Sequence, residues 1–137
     1  SENRQLQALP LKEELVLEPQ GIRNVHPVNG ELAFLGNPPP RTTNSTVDDS
    51  YALITHAPGV HGKGDVLYLA GTSAFSPTAG VEAFTDPILA RSIVSRMRKA
   101  DGKLPRYYQV LLAVKSMDDT PIEISYLMHK ELAVAGR

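Results

Sequence analysis

Two apolar runs, Val66-Leu67-Tyr68-Leu69-Ala70 and Tyr108–Val114, constrain this chain more than any other feature. Successive strand residues point to opposite sides, so a run that is apolar at consecutive positions needs cover on both faces. Each run is therefore expected to be a central strand. The stretch between them reads as helical. Gly71-Thr72-Ser73 breaks the first run, and Ser76-Pro77 supplies an N-cap followed by proline at the first helical position. A short helix over 77–84 follows. Asp86-Pro87 repeats the signal for a longer helix, 87–100, whose Leu89, Ala90, Ile93, Val94 and Met97 form one stripe. Asp101-Gly102 ends it, with Gly102 suited to a left-handed cap.

Further strands flank this unit. Tyr51–Ala57 precedes the loop Pro58–Gly64, and Ile122–Met128 alternates largely apolar and polar after a turn at Met117–Thr120. The first 50 residues differ in character, holding six of the eleven prolines and a polar run from Arg41 to Ser50. Short strands are expected there around Glu14–Leu17, Gly21–Val25 and Glu31–Gly36. Asn29-Gly30 favours a type I′ turn, which needs positive φ at both central residues. Residues 37–50 should be an extended surface connection. Asn44-Ser45-Thr46 has the form of a glycosylation acceptor, but no secretory signal accompanies it.

The expected fold is α/β, leaning to α+β: a mixed, mostly antiparallel sheet of about five to seven strands. Strand 65–70, the helices and strand 107–115 would make one βαβ-type crossover, right-handed if the strands are parallel neighbours. The length, 137 residues, fits one domain over 1–137, with a Pro-rich part at 1–50 and the main sheet and helices at 51–132. Because the first residue is Ser1 rather than Met, the chain is expected to be part of a longer protein.

Composition excludes several chemistries. With no cysteine there is no disulfide framework, thiol nucleophile or Cys-bound zinc. No apolar run approaches the ~18 residues of a membrane span. Fourteen Lys and Arg against fifteen Asp and Glu give a net charge of -1, which offers no global reason to bind nucleic acid. A cytoplasmic location is favoured, with an exported or membrane-anchored parent as the alternative.

Five patterns bear on chemistry. Gly59–Gly64 resembles a phosphate loop, but Ala57 and Gly64 stand where a Walker A motif needs Gly and Ser/Thr, and a strand follows instead of a helix. A flexible hairpin tip is the plainer reading. Gly71, Thr72, Ser73 and Ser76 leave a strand for a helix, the edge where open α/β sheets collect ligands. Their hydroxyls and the free helix N–H groups suit an anion, although small capping residues are expected at any helix start. The same stretch approaches the nucleophile elbow, with Ser73 as nucleophile, Phe75 replacing the last glycine, and Asp86, Asp101 or Asp118 with His129 completing a triad. His26, His56, His61 and His129 show no metal-ligand spacing. Residues 91–106 hold six basic residues against one acid, a local charge of +5 in a chain whose remainder is -6. Such a cluster attracts acidic partners, yet solvated basic side chains near a helix C-terminus are also favoured by the helix dipole.

The runs Tyr51-Ala52-Leu53-Ile54-Thr55, Val66–Thr72, Gly80–Pro87, Tyr107–Leu112 and Thr120-Pro121-Ile122-Glu123 together resemble a bacterial α/β domain of uncharacterised function, of a kind common in soil acidobacteria. The resemblance covers about residues 20–132 and carries no catalytic signature. It implies a place C-terminal to a DNA-binding or membrane-anchoring region. It also implies an earlier strand with a Gly-Ser-Pro-Arg-Ser-Asn-like loop, which this sequence lacks.

Taken together, the residues favour a non-catalytic, sensor-like ligand- or partner-binding domain with its site at Gly71, Thr72, Ser73 and Ser76. The competing readings are a small serine hydrolase using Ser73 and His129, and a structural or oligomerisation module. The partners expected are a small anionic ligand and a second copy of the chain. No cofactor, metal or membrane contact is expected in this segment, and nucleic acid is disfavoured.

Overall fold

A computed structural model of the chain describes residues 12–37, 47–59, 63–72, 76–118 and 120–133. Among them the order is β1 (Leu15–Glu18), β2 (Gly21–Asn24), β3 (Phe34–Gly36), β4 (Val47–Pro58), β5 (Asp65–Gly71), α1 (Ser76–Thr85), α2 (Pro87–Met97), β6 (Tyr108–Met117) and β7 (Thr120–Glu131). Among the described residues the chain is thus mostly β, with two short helices.

The strands form two sheets, not one mixed sheet. A three-stranded sheet runs β1-β2-β3 and a four-stranded sheet runs β5-β4-β6-β7, every neighbouring pair being antiparallel. The expected βαβ crossover between neighbouring parallel strands is not shown. β5 and β6 are both antiparallel to β4 and so run the same way, but β4 lies between them. The short link from Pro58 to Asp65 lets β5 fold back on β4 as a hairpin. β6 then takes the other side of β4, and β5 is left at an edge. The expectation of a central strand therefore fits β6, which is buried along most of its length, and fails for β5, whose Leu67 is 48% exposed.

Two cores lie on opposite faces of the large sheet. On one, Ala52 and Ile54 of β4 and Val110, Leu112 and Val114 of β6 pack beneath Ala79 and Ala83 of α1 and Ile93 and Met97 of α2. A side chain at Gly80 would meet Leu69 at 3.0 Å and Ile54 at 3.4 Å, so its absence lets α1 lie close to the sheet. Helix α2 starts as expected. Asp86 accepts hydrogen bonds from the Ile88 and Leu89 amides at 2.9 and 3.1 Å, with Pro87 at the first position. It ends at Met97 rather than at 100, and Gly102, at φ +81°, serves the turn beyond, its amide bonding the Lys99 carbonyl.

On the opposite face, Leu15 and Ile22 of the small sheet pack on Leu53 and Leu111. The turn before β3 is closed by the Glu31 amide on the Val28 carbonyl at 2.9 Å. Only Gly30 has positive φ there, +86°, so the turn is of type II form and not the expected I′. The main sheet also starts earlier than Tyr51, because Val47–Ser50 already pair with Val114–Met117.

One side chain fastens the two sheets. Gln109, fully buried on β6, accepts from the Glu14 and Leu15 amides at 2.9 and 2.8 Å and donates to the Leu15 carbonyl at 2.8 Å and the Thr55 hydroxyl at 3.2 Å. Its amide pairs with Leu15 as a neighbouring strand would. Beside it, Lys130 pairs with Glu31 and donates to the His26 carbonyl at 3.1 Å, while Asn24 donates to Glu31 at 3.1 Å. Replacing Gln109 by Leu keeps the bulk but strands two amides and a carbonyl, each costing about 1–3 kcal/mol when buried. Urea unfolding of Gln109→Leu should show a loss of at least ~3 kcal/mol, and amide exchange should accelerate first in β1 and β2.

Candidate functional site

The face of the large sheet that meets the small sheet is organised in rows set by strand register. Thr55, Gln109 and Lys130 align across β4, β6 and β7, followed by Leu53, Leu111 and Met128, then Tyr51, Ala113 and Ser125, then Asp49, Lys115 and Glu123. The small sheet packs on the second row through Leu15 and Ile22, and its Leu35 lies beside the third. Beyond Leu35 a groove of about 350 Å³ opens over Ala113, with Tyr51 and Leu127 at its sides. The size falls within the range of small-molecule sites.

The groove follows from local sequence. Ala113 is the smallest side chain on this face of β6, and it leaves a hollow between the larger residues of its row. Leu127 is the extra residue at a break in β6–β7 register between Leu111 and Leu112, which places it outside the regular alternation. The last row closes one end of the groove with charge. Lys115 lies 3.5 Å from Glu123, and Asp49 is its register partner on β4, giving two carboxylates to one ammonium. Among the described residues no histidine lines the groove.

The residues singled out by sequence lie elsewhere. Gly71 ends β5, and Thr72 continues its pairing with β4. Its amide donates to the Tyr51 carbonyl at 3.0 Å and its hydroxyl accepts from the Tyr51 amide at 2.9 Å. The Thr72 amide and the acceptor side of its hydroxyl thus serve the sheet. Ser73 lies outside the described residues, and Ser76 is the first residue of α1. His129 is on β7, with β4 and β6 between its strand and β5. Three interstrand spacings separate those edges, about 14 Å. The aspartates offered as triad members have other work: Asp86 caps α2, Asp101 accepts from the Lys103 amide at 2.9 Å, and Asp118 takes a left-handed turn position at φ +48°.

Three histidines are described; His61 lies outside the described residues. His26 donates from Nδ1 to Glu14 at 2.6 Å. His56 donates from Nδ1 to the Arg106 carbonyl at 2.6 Å, with Nε2 3.6 Å from Asp65 and its ring tilted against Tyr107 and Tyr108. His129 Nδ1 receives the Tyr126 hydroxyl at 2.5 Å, and the Arg96 guanidinium lies over the Tyr126 ring. Among the described residues no three His, Asp or Glu side chains gather as a metal site. Of the glycine loop, Gly59 bonds back to the Gly64 carbonyl at 2.8 Å, a hairpin closure; residues 60–62 lie outside the described residues.

Much of the basic segment is tied down. Besides Arg96, Lys99 pairs with Glu131 at 3.1 Å, Arg98 donates to the Gly102 carbonyl at 2.8 Å, and Arg106 lies 3.8 Å from Asp65. These contacts hold the end of α2 and the following turn against β7 and β5. Sequence reasoning missed Gln109 and the groove residues. A lone amide inside a buried apolar run was the available signal for Gln109, since such a group must find partners.

No protein-family model, curated protein or solved structure matches the chain.

The His129–Tyr126 pair has a pH signature. Burial, then the nearby Lys130 charge, holds the His129 pKa below its usual 6.5, against weaker opposing effects of Glu31 and Glu131. Burial raises the Tyr126 hydroxyl, so it remains the donor. An unfolded chain takes up the His129 proton near pH 6.5, before the folded chain does. The stability due to this site is present above that pH and is lost as the pH falls through the lower folded value. His129→Gln, which carries no titrating group, should therefore lose less stability than the parent between pH 7 and pH 5 in urea unfolding.

Proposed function

We propose that this chain is a non-catalytic binding module whose site is the groove over Ala113, between β3 and the far end of the large sheet. The observation that carries the reading is the early end of the small sheet, which among the described residues leaves an apolar floor open beside a charged row. Shielded apolar surface of this size binds the body of a small molecule through the hydrophobic effect, while a few polar groups fix its orientation. Glu123 at the rim is largely exposed beside its 3.5 Å pairing with Lys115, so the ligand favoured is amphipathic, with an apolar body on Ala113 and a cationic or hydrogen-bond-donating end near Glu123. This differs from the anionic ligand expected at the Gly71–Ser76 loop, where the Thr72 amide is already bonded to β4. A binding rather than catalytic role agrees with a groove in which, among the described residues, no imidazole lies beside the hydroxyls of Tyr51 and Ser125. The resemblance to a bacterial domain with no catalytic signature supports the same reading, in which the groove serves as the sensing part of a longer protein.

The experiment is a titration with hexylammonium and, in parallel, hexanoate, followed through backbone amide shifts. Hexylammonium should move the Ala113, Ser125 and Leu127 amides and bind more tightly than hexanoate. Ala113→Leu, which fills the floor, should weaken it at least tenfold. Equal binding to parent and Ala113→Leu, or no shift in these amides with either probe, sinks the proposal.

A further inference from the structure

The two edges of the large sheet are not alike. The β7 edge carries Pro121, two breaks in register, and Lys130 and Glu131, features that discourage strand addition. β5 has no proline, lysine or bulge, pairs with β4 without a break over all seven residues, and has β4 as its sole strand partner among the described residues.

The hydrogen-bond phase of β5 is fixed by its ends. Thr72 bonds to Tyr51, and Gly59 bonds to Gly64, so these two pairs are of the hydrogen-bonded kind. Bonded and non-bonded pairs alternate along an antiparallel ladder. Val66, Tyr68 and Ala70 therefore direct their N–H and C=O groups to β4, whereas Asp65, Leu67, Leu69 and Gly71 direct theirs outward.

We infer that this edge is a self-association surface: a second copy of the chain pairs β5 with β5 antiparallel across a two-fold axis at Tyr68, making one eight-stranded sheet. The outward groups are self-complementary about that residue. Leu67 meets Leu69 of the second copy, Asp65 meets Gly71, and every outward donor finds an acceptor. Asp65, the only charged residue in β5, is thereby kept from its own counterpart, so no like charges face each other. The half-exposed Leu67 gains an apolar cross-strand neighbour on the helix side, where α1 already packs over β5. An isologous contact of this kind closes at two copies, which open sheet edges otherwise do not. Its area is small beside the ~1,000 Å² of a typical specific interface, so the dimer is reversible.

Sedimentation equilibrium of the whole chain tests this, together with cysteine cross-linking, which the absence of native cysteine makes clean. The parent should show a monomer–dimer equilibrium. Leu67→Lys should raise its dissociation constant at least tenfold with an unchanged far-ultraviolet spectrum, while Ile88→Lys on α2, a fully solvated control, leaves it unaltered. Tyr68→Cys should form a disulfide dimer under mild oxidation, because facing residues of a non-bonded pair lie within disulfide reach. This variant decides the matter if Leu67→Lys does not fold. A parent that is monomeric at millimolar concentration overturns the proposal. So does a dimer untouched by Leu67→Lys, or Ile88→Cys cross-linking as readily as Tyr68→Cys.

Discussion

Gln109 sits where two sheets that share no strand pairing among the described residues must agree on a relative position. Its carboxamide presents a donor and an acceptor at once, and it bonds both backbone groups of Leu15 as a strand would. Apolar packing of Leu15 and Ile22 on Leu53 and Leu111 supplies most of the attraction, but packing is not directional and tolerates sliding. A buried amide does not tolerate it. Any shift that parts Gln109 from Leu15 leaves polar groups unpaired in a dry interface, at a cost comparable with a large share of a small domain's stability. The position of β1 on the large sheet, and with it much of the placement of the small sheet, depends on this side chain.

The point where the small sheet stops makes the groove. Along β6 the residues facing the small sheet run Gln109, Leu111, Ala113, Lys115: polar clasp, apolar core, hollow, charged rim. The Gln109 clasp and the Glu31–Lys130 pair hold the cover over the first positions, and Leu35 is the last residue of that cover to reach the large sheet. Beyond it the face is still apolar at Ala113 but, among the described residues, no longer roofed. A site of this type does not require dedicated loops. It arises because one layer is shorter than the layer it covers.

The local chemistry of this chain is plain in its sequence, and its pairing is not. Asp86-Pro87 announces α2 because capping is settled by neighbours within three residues. The apolar stretch Tyr108–Val114 announces a strand covered on both faces, which β6 is. The equally apolar Val66–Ala70 gives the same signal and lies at an edge, since an apolar run records what a strand can bury and says nothing of which strands lie beside it. The groove was illegible for the same reason. Tyr51, Ala113 and Ser125 are far apart in sequence and become one row only through two long-range registers. The turn at Asn29-Gly30 shows a finer limit. The dipeptide suits I′ geometry in a two-residue hairpin, but β2 and β3 are separated by nine residues, and the turn within that loop needs positive φ only at Gly30.

Placing Lys130 and Glu31 in the same interface as Gln109 has a further consequence for specificity. Ion pairs this shielded gain little net stability over well-packed apolar groups, because each charge gives up hydration. What they add is a penalty for the wrong arrangement. Lys130 satisfies Glu31 and the His26 carbonyl together, and Glu31 also takes the Asn24 amide and the Val28 backbone N–H. Burial alone would raise the Glu31 pKa, yet these donors together hold it below the usual carboxylate value. The interface is therefore pinned at two points along the face: Gln109 acts on β1, and Lys130 acts on the loop that leads into β3. Two separated polar contacts fix rotation as well as translation, which a single clasp would not. Leu35 is carried by the element so fixed, and its placement at the mouth of the groove is the structural result of polar pairing two rows away.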